Sequence, residues 1–177
     1  MSQNNPQDNF QRTGRGMLLL TWLSVLMFLF WLFQLFIDEQ NHPNRDLEMV
    51  VNADGVREVV LQRNVQGHYL ADGSINGRVV TFLLDTGATD VALTEDLAQR
   101  LGLPRLQSGF SQTAAGPVSV WRTRLERIQI GSLEMRDVRA TVVPSMGDGS
   151  PVLLGMSFLK HLEMVQRDGR LTLRQGG

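Results

Sequence analysis

The longest apolar run in the chain, Met17–Ile37, reads MLLLTWLSVLMFLFWLFQLFI: 21 residues, no charge, and only Thr21, Ser24 and Gln34 polar. At ~1.5 Å per residue a helix of that length spans about 31 Å, which matches the hydrocarbon core of a bilayer. A secretory signal has a shorter apolar stretch, about 7–15 residues, and ends in a small-residue cleavage site. This run leaves through Gln34-Leu35-Phe36-Ile37-Asp38-Glu39, which offers no such site. Its length and few polar positions also disfavour a buried core helix. The pattern predicts one transmembrane anchor over 17–37. Arg12 and Arg15 precede it and Asp38 and Glu39 follow it, so the positive-inside rule keeps the N-terminus cytoplasmic and everything after Asp38 outside. The tail Met1–Gly16 is rich in Asn and Gln without a packing pattern and reads as disordered.

Beyond a polar, Pro-containing linker, Asp38–Asp46, the pattern changes to period two with closely spaced turn signals, as in an all-β domain. Met49–Asn52 and Val56–Gln62 flank Ala53-Asp54-Gly55, so residues 38–63 read as linker and N-terminal hairpin. Tyr69–Ile75 and Arg78–Leu84 flank Asn76-Gly77, a strong hairpin signal because both central positions need φ > 0. Trp121–Ile130 and Leu133–Val143 flank Gly131-Ser132, suited to a type II′ turn, and Met164–Arg167 and Arg170–Arg174 close on Asp168-Gly169. Two short helices interrupt the strands. Thr94 caps one that runs to Leu101, with Glu95 and Asp96 at its positive end and Gly102 as the stop; Ser157–Leu162 is a second candidate.

Composition narrows the chemistry. With net charge −1 there is no basic footprint for nucleic acid, and with no Cys there is no disulfide scaffold, thiolate nucleophile or Cys-ligated metal. His42, His68 and His161 are scattered without metal-ligand spacing, so no metal or cofactor is expected. Sixteen Arg against a single Lys160 suggests a GC-rich bacterial genome, which would make the outer side the periplasm and the membrane the inner one. Arg122, Arg124 and Arg127 read as a solvated strand face. There is no G-x-S-x-G elbow and no P-loop.

Thr81-Phe82-Leu83-Leu84 ends abruptly in Asp85-Thr86-Gly87-Ala88-Thr89. A carboxylate directly after a buried strand is costly unless hydrogen bonds satisfy it. The Gly permits a tight turn that brings amide N–H groups toward it. A bare Asp-Thr-Gly is also an ordinary turn. The extended string, followed by Val91 and Leu93, resembles the active-site signature of aspartic proteases, and Val152-Leu153-Leu154-Gly155 resembles the element that packs beside that loop in the retroviral-type fold. Gly67-His68-Tyr69, Ile75-Asn76-Gly77, Phe82–Thr89, Thr113-Ala114-Ala115-Gly116 and Leu153–Leu159 occur in that order. With the anchor, they resemble the membrane-anchored retropepsin-like aspartic proteases of bacteria, over Val59 to Leu173.

The resemblance implies a closed, all-β acid-protease barrel over 64–177, with one short helix after the active-site loop. It implies Asp85 as the catalytic carboxylate, with Thr86, Gly87 and Ala88 supporting the loop and Thr86 hydrogen-bonding across a dimer axis. A flap between Ser108 and Trp121 would carry Thr113, Ala114, Ala115 and Gly116 over the substrate; the chain departs from the family pattern at Ala115, where Asn is more common.

Aspartic protease chemistry takes two carboxylates sharing one proton. No second Asp-Thr-Gly or Asp-Ser-Gly exists here; the other Asp-Gly pairs, at Asp54, Asp72, Asp148 and Asp168, read as turns. A catalytic species is therefore expected to be a homodimer acting on peptide or protein substrates, with one Asp85 from each chain. The alternative is a non-catalytic, membrane-tethered peptide-binding module on the same fold.

Overall fold

The computed structural model describes residues 6–47, 50–51, 56–113 and 116–176. The chain divides into two units, Met1–Gln40 and Asn41–Gly177. The first is dominated by one helix, α1, Pro6–Asn41. Its window Leu20–Ile37 is long and apolar enough to cross a membrane, and the side chains along it are exposed. Thr21 and Ser24 donate their hydroxyls to the carbonyls of Met17 and Leu20, both at 2.9 Å, which hides the polar groups within the helix. The helix extends beyond the apolar run at both ends. Residues 6–16 are helical rather than the disordered tail their composition suggests, because adding residues to a formed helix is cheap and Pro6 suits a first turn. Residues 1–5 of that tail lie outside the described residues. The helix stops just before His42-Pro43, where the proline ring disfavours helical geometry in the preceding residue.

The second unit is built on hairpins whose turns follow their local chemistry. β3 (Leu70–Ile75) and β4 (Arg78–Leu84) meet at Asn76 and Gly77, with φ of 51° and 80°. β7 (Gly116–Ile130) and β8 (Leu133–Val142) turn through Gly131, φ 54°, and β10 (Glu163–Arg167) and β11 (Arg170–Gln175) through Asp168 and Gly169. Asp72-Gly73 is not a turn: it lies inside β3. Gly73 is needed there because a Cβ would fall 2.3 Å from the Gln129 carbonyl oxygen, where β3 and β7 come together. Asp54 lies outside the described residues.

That approach closes a barrel. β3, β4, β9 (Val152–Leu154), β5 (Val91–Leu93), β8 and β7 follow one another around it, and β7 returns to β3 through Ser74↔Gln129 and Ile75↔Ile128. The β4–β9 and β5–β8 pairs are parallel. Phe82, Leu93, Leu125, Ile128, Ile130, Leu133 and Leu154 fill the interior with no exposed surface, each such burial stabilising by about 1.5–3 kcal/mol. β6 (Gln107–Thr113) pairs with the first part of β7 as a ribbon off the barrel, Thr113 opposite Gly116. Ala114 and Ala115, expected in the flap, lie outside the described residues. Arg122, Arg124 and Arg127 are exposed as expected, whereas Trp121 is buried and its indole N–H donates to Glu95 at 2.6 Å.

Glu95 opens the short helix α2 (Glu95–Arg100), whose Thr94 hydroxyl accepts from the Leu97 N–H at 3.2 Å, with Gly102 just beyond at φ 63°. A second, four-residue helix, α3 (Met156–Leu159), follows β9. A further sheet runs β1 (Val50–Val51), β2 (Arg57–Gln62), β11, β10. Its inner side chains Val59, Leu61, Leu171 and Leu173 are buried in the same core. The unit therefore begins at Asn41, earlier than the boundary at residue 64 that the sequence suggests, and the supposed linker is partly packed, with Asn44 only 3% exposed. The turn expected at 53–55 lies outside the described residues, although β1 and β2 are antiparallel partners. On the outer side Glu58 accepts from Arg174 Nε at 2.7 Å, and this hydrogen bond and the Glu58 charge raise the pKa of the guanidinium above its ordinary value.

Candidate active site

β4 delivers Asp85 to the barrel rim. Phe82, Leu83 and Leu84 run parallel to Val152, Leu153 and Leu154 of β9, and the Asp85 N–H continues that ladder to the Leu154 carbonyl at 3.2 Å. The next residues form a tight loop. The Ala88 N–H donates to the Asp85 carbonyl at 3.2 Å, and the Gly87 N–H donates to the Asp85 carboxylate Oδ1 at 2.8 Å. An amide donor at this distance fixes the carboxylate's rotamer.

Gly87 is present for space. Its φ is not positive, but a Cβ there would lie 3.1 Å from Asp85 Oδ1, inside ordinary contact distance. The sequence points to a glycine that frees the backbone; the structure shows one that lets an amide come close to a carboxylate.

The loop is braced from below. Met156 and Ser157, at the start of α3, donate their N–H groups to the carbonyls of Ala88 and Thr89 at 2.8 and 2.9 Å. Ser157, 7% exposed, accepts from the Val91 N–H at 3.0 Å and donates to the Arg139 carbonyl at 2.8 Å, so one hydroxyl joins α3 to β8 and to the start of β5, just after the loop. Gly155 makes this possible. A Cβ there would sit 2.2 Å from the Asp90 carbonyl oxygen and 2.7 Å from that of Ala88. Of these supports the sequence marks Leu153-Leu154-Gly155. The role of Ser157 is missed, since a lone Ser on a short helix carries no pattern.

Asp85 is partly exposed and Thr86 and Gly87 are exposed. Asp90 is tied to the domain, with Arg139 Nη2 at 3.4 Å and the Thr141 hydroxyl at 3.5 Å. No group of three or more His, Asp or Glu side chains suited to a metal occurs among the described residues. The arrangement is a single carboxylate, oriented by its own loop and presented at an open rim.

Residues 71–161 match the family model described as "gag-polyprotein putative aspartyl protease", and that match spans β3, the Asp85 loop and α3. The chain belongs to the retropepsin-like aspartic proteases. The crystal structure of a retropepsin-like aspartic protease from Rickettsia conorii is similar to it, with a TM-score of 0.55 and 27% identity over 73% of this chain and 94% of that one. An uncharacterized protein in the cobV 5′ region of a Sinorhizobium sp. is 37% identical over 130 residues, 71% of this chain and 55% of that protein. The uncharacterized protein RP867 of Rickettsia prowazekii is 30% identical over 121 residues, 67% of this chain and 51% of that protein. The chain thus spans about half the length of the curated relatives it matches. Retropepsin-like membership and the closed six-strand barrel agree with the resemblance read from Phe82–Thr89 and Leu153–Leu159.

Proposed function

We propose that this retropepsin-like protease is a membrane-anchored aspartic endopeptidase that works as a homodimer, with one Asp85 from each chain. The observation that carries the reading is the loop itself: a partly exposed carboxylate held by the Gly87 amide, beside an exposed Thr86 and braced by β9 and α3, in a chain with one such motif.

Two such loops meeting at a two-fold axis bring their carboxylates together, and repulsion leaves the pair holding one proton. The ionised Asp85 takes a proton from a water, whose oxygen adds to the scissile carbonyl carbon. The protonated Asp85 gives its proton to the carbonyl oxygen, forming a tetrahedral diol. One Asp85 then gives a proton to the amide nitrogen while the other takes one from a diol hydroxyl; the C–N bond breaks, amine and carboxylic acid leave, and the dyad again holds one proton. Leu83 and Leu153, paired and half-buried next to the loop, give the site aliphatic flanks suited to apolar substrate side chains. The β6–β7 ribbon, in which Thr113 pairs with Gly116, is the flap that closes on the substrate and excludes water, with Ala114 and Ala115 between those two in the sequence.

β10 supports the dimer. It is an outer strand of its sheet, all five of its residues are exposed, and Met164 and Val165 keep 38% and 41% of their surface in solvent. It follows within a few residues the α3 helix that braces the loop. An unpaired, partly apolar edge is a template for another strand, and tethering both chains in one membrane raises their effective concentration. The anchor is α1, its N-terminus cytoplasmic by the flanking charges, with the protease domain in the periplasm.

Titration of the full chain with a statine-type transition-state mimic tests the assembly. One inhibitor bound per two chains is expected; one per chain, with activity retained at monomer concentrations, overturns the dimer. Val165→Lys sets like charges against each other across the edge. It is expected to shift the chain to monomer in sedimentation and to lower cleavage in proportion.

A further inference from the structure

We infer that His42–Leu47, directly after the apolar helix, is a strap that positions the Asp85 loop, with Asn44 as its positioning residue; the inference rests on the reading of Asp85 as the catalytic carboxylate. DEQNHPNRD has the composition of a free linker, in which an Asn would be solvated. Instead Asn44 is buried, and a buried amide is tolerated only when its donors and acceptor are matched. Its Nδ2 donates to the Gln62 carbonyl at 2.8 Å and to the Leu70 carbonyl at 2.6 Å, and its Oδ1 accepts the Gln62 N–H at 2.6 Å. Its own carbonyl accepts the Asp72 N–H at 3.1 Å. One residue thereby stitches the end of β2 to the start of β3.

Neighbouring contacts hold the strap at both ends. Asn64 Nδ2 donates to the Asn41 carbonyl at 3.2 Å, and Leu47 packs on the core. His42 lies with both ring nitrogens buried and without a hydrogen bond, its Nε2 3.5 Å from Asp72 Oδ1, which accepts the Thr81 hydroxyl at 2.8 Å.

The strap is connected to the site through the strand it holds. Leu70, the acceptor for Asn44, follows Tyr69, whose carbonyl accepts the Leu84 N–H at 3.0 Å, and Leu84 precedes Asp85. Losing the Asn44 amide frees the start of β3, and the Leu84 N–H then donates to a carbonyl that no longer has a fixed position. Carboxylate chemistry is sensitive to such displacement, since a misplacement of about 1 Å can cost ~100-fold in rate. The segment that joins membrane helix to protease is thus part of the active-site support.

The test uses the full chain in detergent and a peptide, chosen from a library, that the unaltered chain cleaves. Asn44→Ala is expected to lower kcat about tenfold with KM within about twofold, because the aliphatic flanks of the site are untouched. Asn44→Asp sets a carboxylate against two carbonyls and is expected to lower kcat further. Amide hydrogen exchange should quicken at 70–72 and 83–86 but not along the β7–β8 hairpin. His42→Ala loosens the same strap without touching β2. It gives the same localised pattern with about a threefold loss, and decides the question if Asn44→Ala does not fold. Unchanged kcat and exchange at 83–86, or faster exchange throughout the domain, overturns the strap. Cleavage that survives Asp85→Asn overturns the catalytic reading instead, and the exchange pattern then still decides the strap.

Discussion

Asp85→Asn is expected to abolish peptide cleavage while leaving the fold intact. Asn keeps an oxygen that can accept from the Gly87 N–H, and Asp85 is partly exposed, so no buried charge or cavity is involved. What is lost is the ability to take and return a proton. Acid–base catalysis by a positioned group contributes about 10²–10⁴-fold, and in a two-fold dimer the substitution removes both members of the dyad at once. The expected loss is therefore at least about 10³-fold in kcat, at a thermal midpoint close to that of the unaltered chain. Undiminished turnover removes Asp85 from the mechanism. Retained peptide binding without any cleavage in the unaltered chain would favour a binding module on the same fold. The same chemistry requires a rate profile favouring mildly acidic pH, since a dyad that has lost its shared proton cannot protonate the carbonyl oxygen. A rate that climbs steadily into alkaline pH excludes the shared-proton scheme.

Gly155→Ala is expected to destabilise the domain strongly and to silence it. Its Cβ would overlap two backbone oxygens, those of Asp90 and Ala88, neither of which can swing aside as a flexible side chain would. Relief requires α3 or the Asp85 loop to move, which breaks the Met156–Ala88 and Ser157–Thr89 hydrogen bonds. Overpacking of this kind costs about 1–3 kcal/mol or more, and each kcal/mol lowers the midpoint of a domain this size by about 2–8 °C. A fall of about 10 °C is expected, with activity lost even in the fraction that remains folded. Gly147→Ala, where a Cβ would meet only Ser150 Oγ at an ordinary 3.8 Å, is the matched control and should leave both quantities unchanged. Equal effects at the two positions would show that the loop does not depend on the close approach at Gly155.

Local signals were legible where one short stretch of chain settles them. Asn76-Gly77 and Asp168-Gly169 adopt positive φ and turn their hairpins because the turn needs nothing beyond its own residues. Thr94 caps α2 for the same reason, its hydroxyl reaching an amide three residues on. The apolar run 17–37 is legible through composition alone. Asp72-Gly73 misleads because the same dipeptide serves a turn or a close approach between strands, and only the Gln129 carbonyl opposite distinguishes them. Asn44 misleads for a similar reason: a polar residue in a polar stretch looks solvated until its partners, 18 and 26 residues away, are brought to it.

The sequence by itself determined the elements that depend on neighbours in the chain: the apolar helix, the hairpin turns, the capped helix, and the Asp-Thr-Gly-Ala string with its hydrophobic-hydrophobic-Gly companion. A period-two pattern or a turn dipeptide acts over a few residues, so its outcome is written where it stands. Tertiary structure alone decided what those elements do to one another. It closed the barrel through Gly73, set Gly155 beneath the loop with no room for a methyl, gave Gly87 a steric role in place of a conformational one, and drew residues 42–47 out of the linker into the domain. Each of these is an encounter between residues distant in the chain, and packing and hydrogen-bond matching at such encounters depend on geometry that no local pattern encodes.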